Sequence, residues 1–128
     1  MERPGMVAIE QIQEAAERIG DRIIRTPLVY SPWLSRRFDA EIYLKMENLQ
    51  KTGSFKIRGA SNKLLKLIRA DAADIDEVVA ASAGNHAQGV ALAAKNAGIE
   101  STVVMPEWAS ISKQEATRGY GGKVLCVG

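Results

Sequence analysis

One lysine is placed where it could do covalent chemistry. Lys56 lies in the stretch Thr52-Gly53-Ser54-Phe55-Lys56-Ile57-Arg58-Gly59-Ala60, at the start of a helical pattern. Its neighbours Phe55 and Ile57 are apolar, and burial among apolar side chains disfavours the ammonium and favours the amine that attacks a carbonyl. A second interpretation stays open here, because most lysines at helix starts are solvated charges whose stems lie along apolar neighbours.

A second stretch could bind an anion. It reads Ala81-Ser82-Ala83-Gly84-Asn85-His86-Ala87-Gln88-Gly89 and places small residues between an apolar segment and a helical pattern. The helix that opens there has free N–H groups and a positive dipole end, which suit a carboxylate or a phosphate. His86 is the only histidine of the chain, and no cysteine or carboxylate is spaced to complete a metal site with it, so we predict no bound metal.

Hydrophobic periodicity and turn residues predict the elements around these two stretches. The predicted helices are 7–19, 32–38, 58–70, 85–96 and 112–121, and the predicted strands are 42–46, 78–81, 102–105 and 123–127. Residues 22–28 are predicted to form an extended arm, and an acidic loop, 71–77, ends the third helix. The predicted helix caps are Gly20, Ser31, Ser54, Gly98 and a capping box of Ser112 and Glu115.

This order of elements predicts an α/β fold with a parallel sheet and helices on both faces, a three-layer αβα arrangement. We divide the chain into residues 1–40, which form N-terminal helices and an extended arm, and residues 41–128, an open α/β domain that carries both stretches. Ligands of such sheets bind beyond the carboxyl ends of the strands. The turn at 82–85 follows such an end.

Composition excludes several classes of function. The 128 residues carry 17 basic and 15 acidic side chains, so the net charge of +2 gives no reason to expect binding to nucleic acid or to a membrane surface. The first residues lack the apolar core of a signal peptide, and no segment approaches the ~20 apolar residues that span a bilayer. We therefore expect a cytoplasmic protein. Cys126 has no cysteine partner and is expected to be a small buried side chain.

The two stretches together closely resemble the signatures of the fold-type-II pyridoxal-phosphate enzymes, and in particular the threonine dehydratase (threonine ammonia-lyase) and serine dehydratase group. The resemblance also includes Thr26-Pro27-Leu28, the segments 43–50 and 103–106, Ser112-Lys113 and the segment 115–118. It implies that the chain matches the N-terminal portion of these enzymes. Their glycine-rich phosphate loop lies further downstream, and Gly121-Gly122 does not replace it, because this pair follows a helix and precedes a strand.

The resemblance also implies roles for individual residues. Lys56 would hold pyridoxal 5'-phosphate as an imine and later take the Cα proton of the substrate. Phe55 would lie against the cofactor ring, with ordinary core packing as the alternative, and Asn85 would bond to the 3-hydroxyl of that ring. The loop for the substrate carboxylate would be formed by Ser82, Ala83, Gly84, Asn85 and His86, with His86 as an orienting residue. Arg58, Asn48 and Gln50 would have supporting roles.

The implied reaction is the β-elimination of L-threonine or L-serine to a 2-oxo acid and ammonia, in an enzyme expected to be a homo-oligomer. Ala83 stands where the serine racemase branch carries a serine that acts as an acid and base, so racemisation is disfavoured. Ile57 departs from the Lys-Asp-Arg pattern of threonine and cysteine synthases. The alternative is a catalytically silent N-terminal domain that folds and self-associates without binding the cofactor efficiently.

Overall fold

A computed structural model describes residues 6–70 and 75–128, so part of the predicted acidic loop lies outside the described residues. The helices are α1 (Ile9–Ile19), α2 (Pro32–Phe38), α3 (Lys56–Arg69), α4 (Asn85–Ala97) and α5 (Ile111–Gly119). The strands are β1 (Leu28–Tyr30), β2 (Tyr43–Lys45), β3 (Glu77–Ala81), β4 (Glu100–Pro106) and β5 (Lys123–Val127). Single 3-10 turns follow α1 and β2.

The main sheet is parallel, which confirms the predicted α/β class. Its three strands lie in the order β3-β4-β5, and Val103 pairs with Ala80 on one side and with Val124 on the other. A separate antiparallel pair joins β1 to β2, with Val29 opposite Leu44. The extended arm therefore ends in a short strand that the sequence did not predict.

The helices of the described residues cover one face of the main sheet. Val103 and Met105 point toward that face and are fully buried against Ala87 of α4, while Ile57 of α3 is buried beside α4. On the opposite face Val79 is 69% exposed. The prediction placed helices on both faces. Consecutive neighbouring strands joined by right-handed crossovers bring both intervening helices, α4 and α5, to the same side.

Two predicted caps are confirmed, and a third residue behaves differently. The Ser31 hydroxyl accepts a hydrogen bond from the Leu34 amide at 3.4 Å, with Pro32 as the first residue of α2. Gly98 ends α4 in the left-handed conformation with φ of 72°. Gly20 follows α1 but keeps right-handed dihedral angles, so the chain continues into a 3-10 turn.

The predicted capping box of α5 is wrong, and the predicted cap of α3 lies one residue before the observed cap position. Helix α5 begins at Ile111 after Ser110, so Ser112 and Glu115 lie inside the helix and form no capping box. Phe55 is the residue that precedes α3, although the Ser54 hydroxyl still accepts from the Lys56 amide at 3.4 Å. In both cases the helix starts within two residues of the predicted point, which is the usual uncertainty of a boundary.

A close approach between α3 and α4 depends on Gly89. A Cβ atom placed on Gly89 would lie 3.0 Å from the carbonyl carbon of Lys56 and 3.1 Å from the amide nitrogen of Ile57. These are backbone atoms of α3, which cannot move aside as a flexible side chain can. The lack of a side chain at Gly89 therefore allows the two helices to pack closely.

We expect Gly89→Ala to lower the free energy of unfolding by about 1–3 kcal/mol, because the added methyl group pushes α3 away from α4. Gly59→Ala is the matched control, since its added Cβ meets nothing within 4 Å and it lies inside α3. That control should raise the free energy of unfolding by about 0.5–1 kcal/mol. Urea unfolding measures both, and equal stability of the two variants would contradict the proposed packing.

Candidate active site

Lys56 is the first residue of α3, and its backbone is fixed from several sides. Gly53 turns the entry with φ of 66°, and Ser54 is buried beside it. Ile57 is fully buried and anchors the first turn in the core. The backbone position from which the Lys56 side chain extends is therefore fixed.

The surroundings of this amine differ from the prediction. Ile57 is buried, but Lys56 is exposed and Phe55 is 58% exposed, so the described residues do not enclose the amine in an apolar pocket. The Lys56 Nζ atom lies 5.1 Å from the centroid of the Phe55 ring, within the range of a cation–π contact. The exposure of Phe55 excludes ordinary core packing and leaves a ring face open beside the lysine.

The small-residue loop lies at the carboxyl end of β3, as predicted. The Ser82 amide donates to the carbonyl of Val104 at 3.0 Å, which continues the pairing of β3 with β4. The Ser82 hydroxyl accepts from the amides of Gly84 and Ala87, both at 3.3 Å. The loop is thereby held in shape by its own serine, and α4 opens at Asn85 with an exposed side chain.

The packing of Gly89 places the lysine and the loop at the same end of α4. Gly89 is one helical turn beyond Asn85, and it touches the backbone of Lys56. The two stretches of the sequence are therefore neighbours in the fold, as an active site shared by Lys56 and Asn85 requires.

His86 lies at the border of this region. It lines an apolar groove of about 280 Å³ between α3, β3 and α4, together with Val78, Leu64 and Val90. Neither Lys56 nor Asn85 lines the groove. The side chain of His86 therefore contacts a different surface from the one that carries the lysine.

An ion pair supports the start of α3. Arg58 donates to both carboxylate oxygens of Glu47, at 2.7 and 2.9 Å, and the Thr26 hydroxyl donates to the same carboxylate. The hydrogen bond from Arg58 lowers the pKa of Glu47 to about 2 against a smaller opposing effect of burial, and Thr26 and Lys45 add to the lowering. The same pairing raises the pKa of Arg58. No role was predicted for Glu47, whose only signal in the sequence is a charge opposite to that of Arg58.

Gln50 forms a second polar contact with the extended arm. Its amide group accepts from the backbone N–H of Ile24 and donates to the carbonyl of the same residue, both at 2.8 Å, and it is 4% exposed. Asn48, the third supporting residue of the sequence analysis, is exposed. The arm, the turn after β2 and the lysine helix are thus joined by buried polar contacts.

Residues 6–70 and 75–128 contain neither a metal-binding cluster nor a membrane-spanning helix. No group of three or more histidine, cysteine, aspartate or glutamate side chains is close enough to hold a metal ion. No helix in the described part of the chain has the length and apolar character needed to cross a membrane.

The site places a lysine beside an open aromatic ring, at the carboxyl end of a parallel sheet. This arrangement is typical of α/β enzymes that bind a carbonyl-containing cofactor covalently through a lysine. The chain belongs to the family of pyridoxal-phosphate dependent enzymes, whose family model matches residues 19–128. This confirms the resemblance, the fold class and, at the level of the family, the predicted cofactor.

The similar proteins are named as enzymes that act on amino acids. The chain is 54% identical over 123 residues to an L-threonine ammonia-lyase of Thermotoga maritima and 52% identical over 124 residues to the L-threonine dehydratase catabolic TdcB of Staphylococcus aureus, covering 96% of this chain in each case. It superposes on a pyridoxal 5'-phosphate-dependent aspartate racemase with a TM-score of 0.89 and 38% identity over 98% of its length. The chain spans 30%, 35% and 39% of these three proteins.

The residues present fit one part of pyridoxal phosphate. Lys56 supplies an amine for its aldehyde, Phe55 an exposed ring face, and Asn85 an exposed amide that can donate to its phenolic oxygen. The phosphate is not accommodated by Gly122, which is buried: a Cβ there would lie 2.9 Å from the Ala91 side chain. The fit covers the aldehyde end and the ring.

We expect Glu47→Gln to lower the free energy of unfolding near neutral pH by roughly 2–4 kcal/mol, because the change removes a carboxylate whose pKa folding lowers from 4.5 to about 2. The stabilisation is complete above pH 4.5 and is lost as the pH falls toward 2. The difference between wild type and variant should therefore shrink over that interval.

Urea unfolding across this pH range measures the effect. Glu100→Gln is the matched control, because Glu100 pairs with Lys123 where the two side chains are 65% and 62% exposed, so its removal should change stability little at any pH. A Glu47→Gln deficit that stays constant down to pH 2 would show that the carboxylate charge is not its source.

Proposed function

We propose that the chain forms the lysine-bearing and substrate-binding part of a pyridoxal-phosphate dependent dehydratase of L-threonine or L-serine. The observation that carries the proposal is the contact of Gly89 with the Lys56 backbone, which brings the amine and the loop 82–86 to one end of α4. The two similar proteins named for threonine chemistry, at 52% and 54% identity, support this substrate class.

The residues of the loop would bind the substrate carboxylate. The Asn85 and His86 amides lie in the first turn of α4, where an N–H group has no helical acceptor, and the Ser82 hydroxyl can donate to an anion while its lone pairs hold the loop. Phe55 would cover one side of the cofactor ring. These contacts orient the substrate and place its Cα–H bond toward Lys56.

Lys56 would then move the proton. Pyridoxal phosphate, when bound, supplies the electron sink that makes the Cα proton removable. The Lys56 Nζ atom, in its uncharged form, would accept that proton from Cα. The β-hydroxyl would leave as water, and the resulting enamine would then be hydrolysed by one water molecule, which releases ammonia and gives the 2-oxo acid. Both roles of Lys56 need one amine at one position.

Racemisation is the second candidate, because the chain superposes closely on an aspartate racemase. A racemase must deliver a proton to the opposite side of Cα, and in the serine racemase branch of the family this proton comes from a serine at the position of Ala83. A methyl group has no proton to give. The absence of a hydroxyl at position 83 favours dehydration.

The location and assembly belong to the same proposal. The proposed enzyme would be cytoplasmic and act on small amino acids, and the nearly balanced charge gives no reason to expect a nucleic-acid partner. The apolar sheet face, with Val79, Leu125 and Val127 at 69%, 53% and 45% exposure, supports assembly into a homo-oligomer.

Pyridoxal phosphate followed by borohydride reduction should attach the cofactor to Lys56, as measured by peptide mass spectrometry. Lys51→Ala is the matched control, because Lys51 is an exposed lysine of the same loop, and it should keep the label on Lys56. Lys56→Ala should abolish both the label and the visible absorption of the bound cofactor. Label spread evenly over surface lysines would contradict the proposal and favour a silent, self-associating domain.

A further inference from the structure

A second lysine faces the loop from another helix. The Nζ atom of Lys113, in the first turn of α5, lies 3.7 Å from the point that a Cβ of Gly84 would occupy, and no other atom outside the immediate chain neighbours comes within 4 Å of that point. Gly84 is the middle residue of the loop 82–86. The ammonium of Lys113 is thus directed at the segment to which the proposed function assigns the carboxylate.

The backbone of Lys113 is well fixed, while its side chain is exposed. Its amide donates to the Ser110 carbonyl at 3.0 Å, and its carbonyl accepts from the Thr117 hydroxyl at 2.8 Å. Thr117 is fully buried, so it ties this turn to the core. The Lys113 side chain therefore extends toward Gly84 from a fixed backbone position.

The charge of Lys113 lies where two helix starts also favour an anion. A cation in the first turn of a helix opposes the helix dipole, and the start of α4 beside Gly84 adds a second positive dipole end. Within residues 6–70 and 75–128, the salt bridges are formed by Arg18, Arg22, Arg58 and Lys123, so no described carboxylate neutralises Lys113. An anionic ligand at the loop would relieve this repulsion.

We propose that Lys113 is a substrate-binding residue whose ammonium pairs with the α-carboxylate held by the loop 82–86. The inference rests on the proposed function, because that function puts a carboxylate there. It adds a charge to a loop that otherwise offers only N–H groups and the Ser82 hydroxyl, and charge-assisted hydrogen bonds are about twice as strong as neutral ones. Lys113 would select for an amino acid with a free carboxylate.

The test compares two ligands that differ only in this charge. L-threonine and L-threoninamide are titrated into the isotope-labelled chain, and the amide shifts of residues 82–87 give the dissociation constants. In the wild type, L-threonine should bind roughly tenfold more tightly than the amide, and Lys113→Gln should remove most of that difference. Lys113→Arg should restore it, because the guanidinium keeps the charge.

A charge removed elsewhere on α4 serves as the control, and several results would overturn the role of Lys113. Lys95→Gln removes the same charge from the last turn of α4, at the far end from the loop, and should leave the preference intact. An unchanged preference in Lys113→Gln, an equal loss in Lys95→Gln, or a wild type whose loop amides do not respond to L-threonine would each overturn the inference. Inorganic phosphate that binds the loop through Lys113 while L-threonine does not would overturn it as well.

Labelling separates this inference from the proposed function. If Lys56 takes the cofactor in both the wild type and Lys113→Gln, and the ligand preference does not depend on Lys113, the dehydratase proposal stands and the role of Lys113 is refuted. If Lys56 takes no label in the wild type, the proposed function itself fails. A label on Lys56 together with a preference that depends on Lys113 supports both.

Discussion

The candidate site depends on the close contact between two helix starts. Gly89 lets α4 touch the backbone of Lys56, and any larger residue would bring a carbon within 3.0–3.2 Å of that backbone. The contact joins two segments that are about thirty residues apart in the sequence. Without it, the lysine and the loop 82–86 would be two unrelated surface features, each with an ordinary structural explanation.

Partly buried polar contacts hold the other side of the lysine helix. Arg58 pairs with Glu47 through two hydrogen bonds, and Gln50 pairs with both backbone groups of Ile24. Removing one partner of such a pair leaves a partly buried group without its hydrogen bonds, which destabilises this junction. The arm before β1 therefore cannot easily detach from the start of α3, and the position of Lys56 is defined from both ends of its loop.

Much of the local structure could be predicted from the sequence. The parallel strands around 78–81, 102–105 and 123–127, the helix from Asn85 and the cap at Gly98 follow from apolar runs and turn residues that act over a few positions. The same holds for the positive φ of Gly53. The candidate residues Lys56 and Asn85 were found by their motif, and the fold brings their helices together.

The errors concern features that sequence neighbours do not determine. The exposure of Lys56 and Phe55 depends on which segments pack over the loop, and the side of the sheet that helices cover depends on strand order. Serine residues occur at 110 and at 112, and either could cap α5, so local propensity alone chose the wrong one. Lys113 belongs to the resemblance but received no role, because Gly84, which it approaches, is distant in the sequence and has no side chain.

One measurement tests directly whether the lysine and the loop form a single site. The chain is labelled at Lys56 with reduced pyridoxal phosphate, and the amide spectrum is compared with that of the unlabelled chain. A shared site predicts large shifts for residues 82–86 as well as for Phe55, since the ring attached to the amine reaches the loop. Shifts confined to residues near Phe55, with the loop unchanged, would contradict the account.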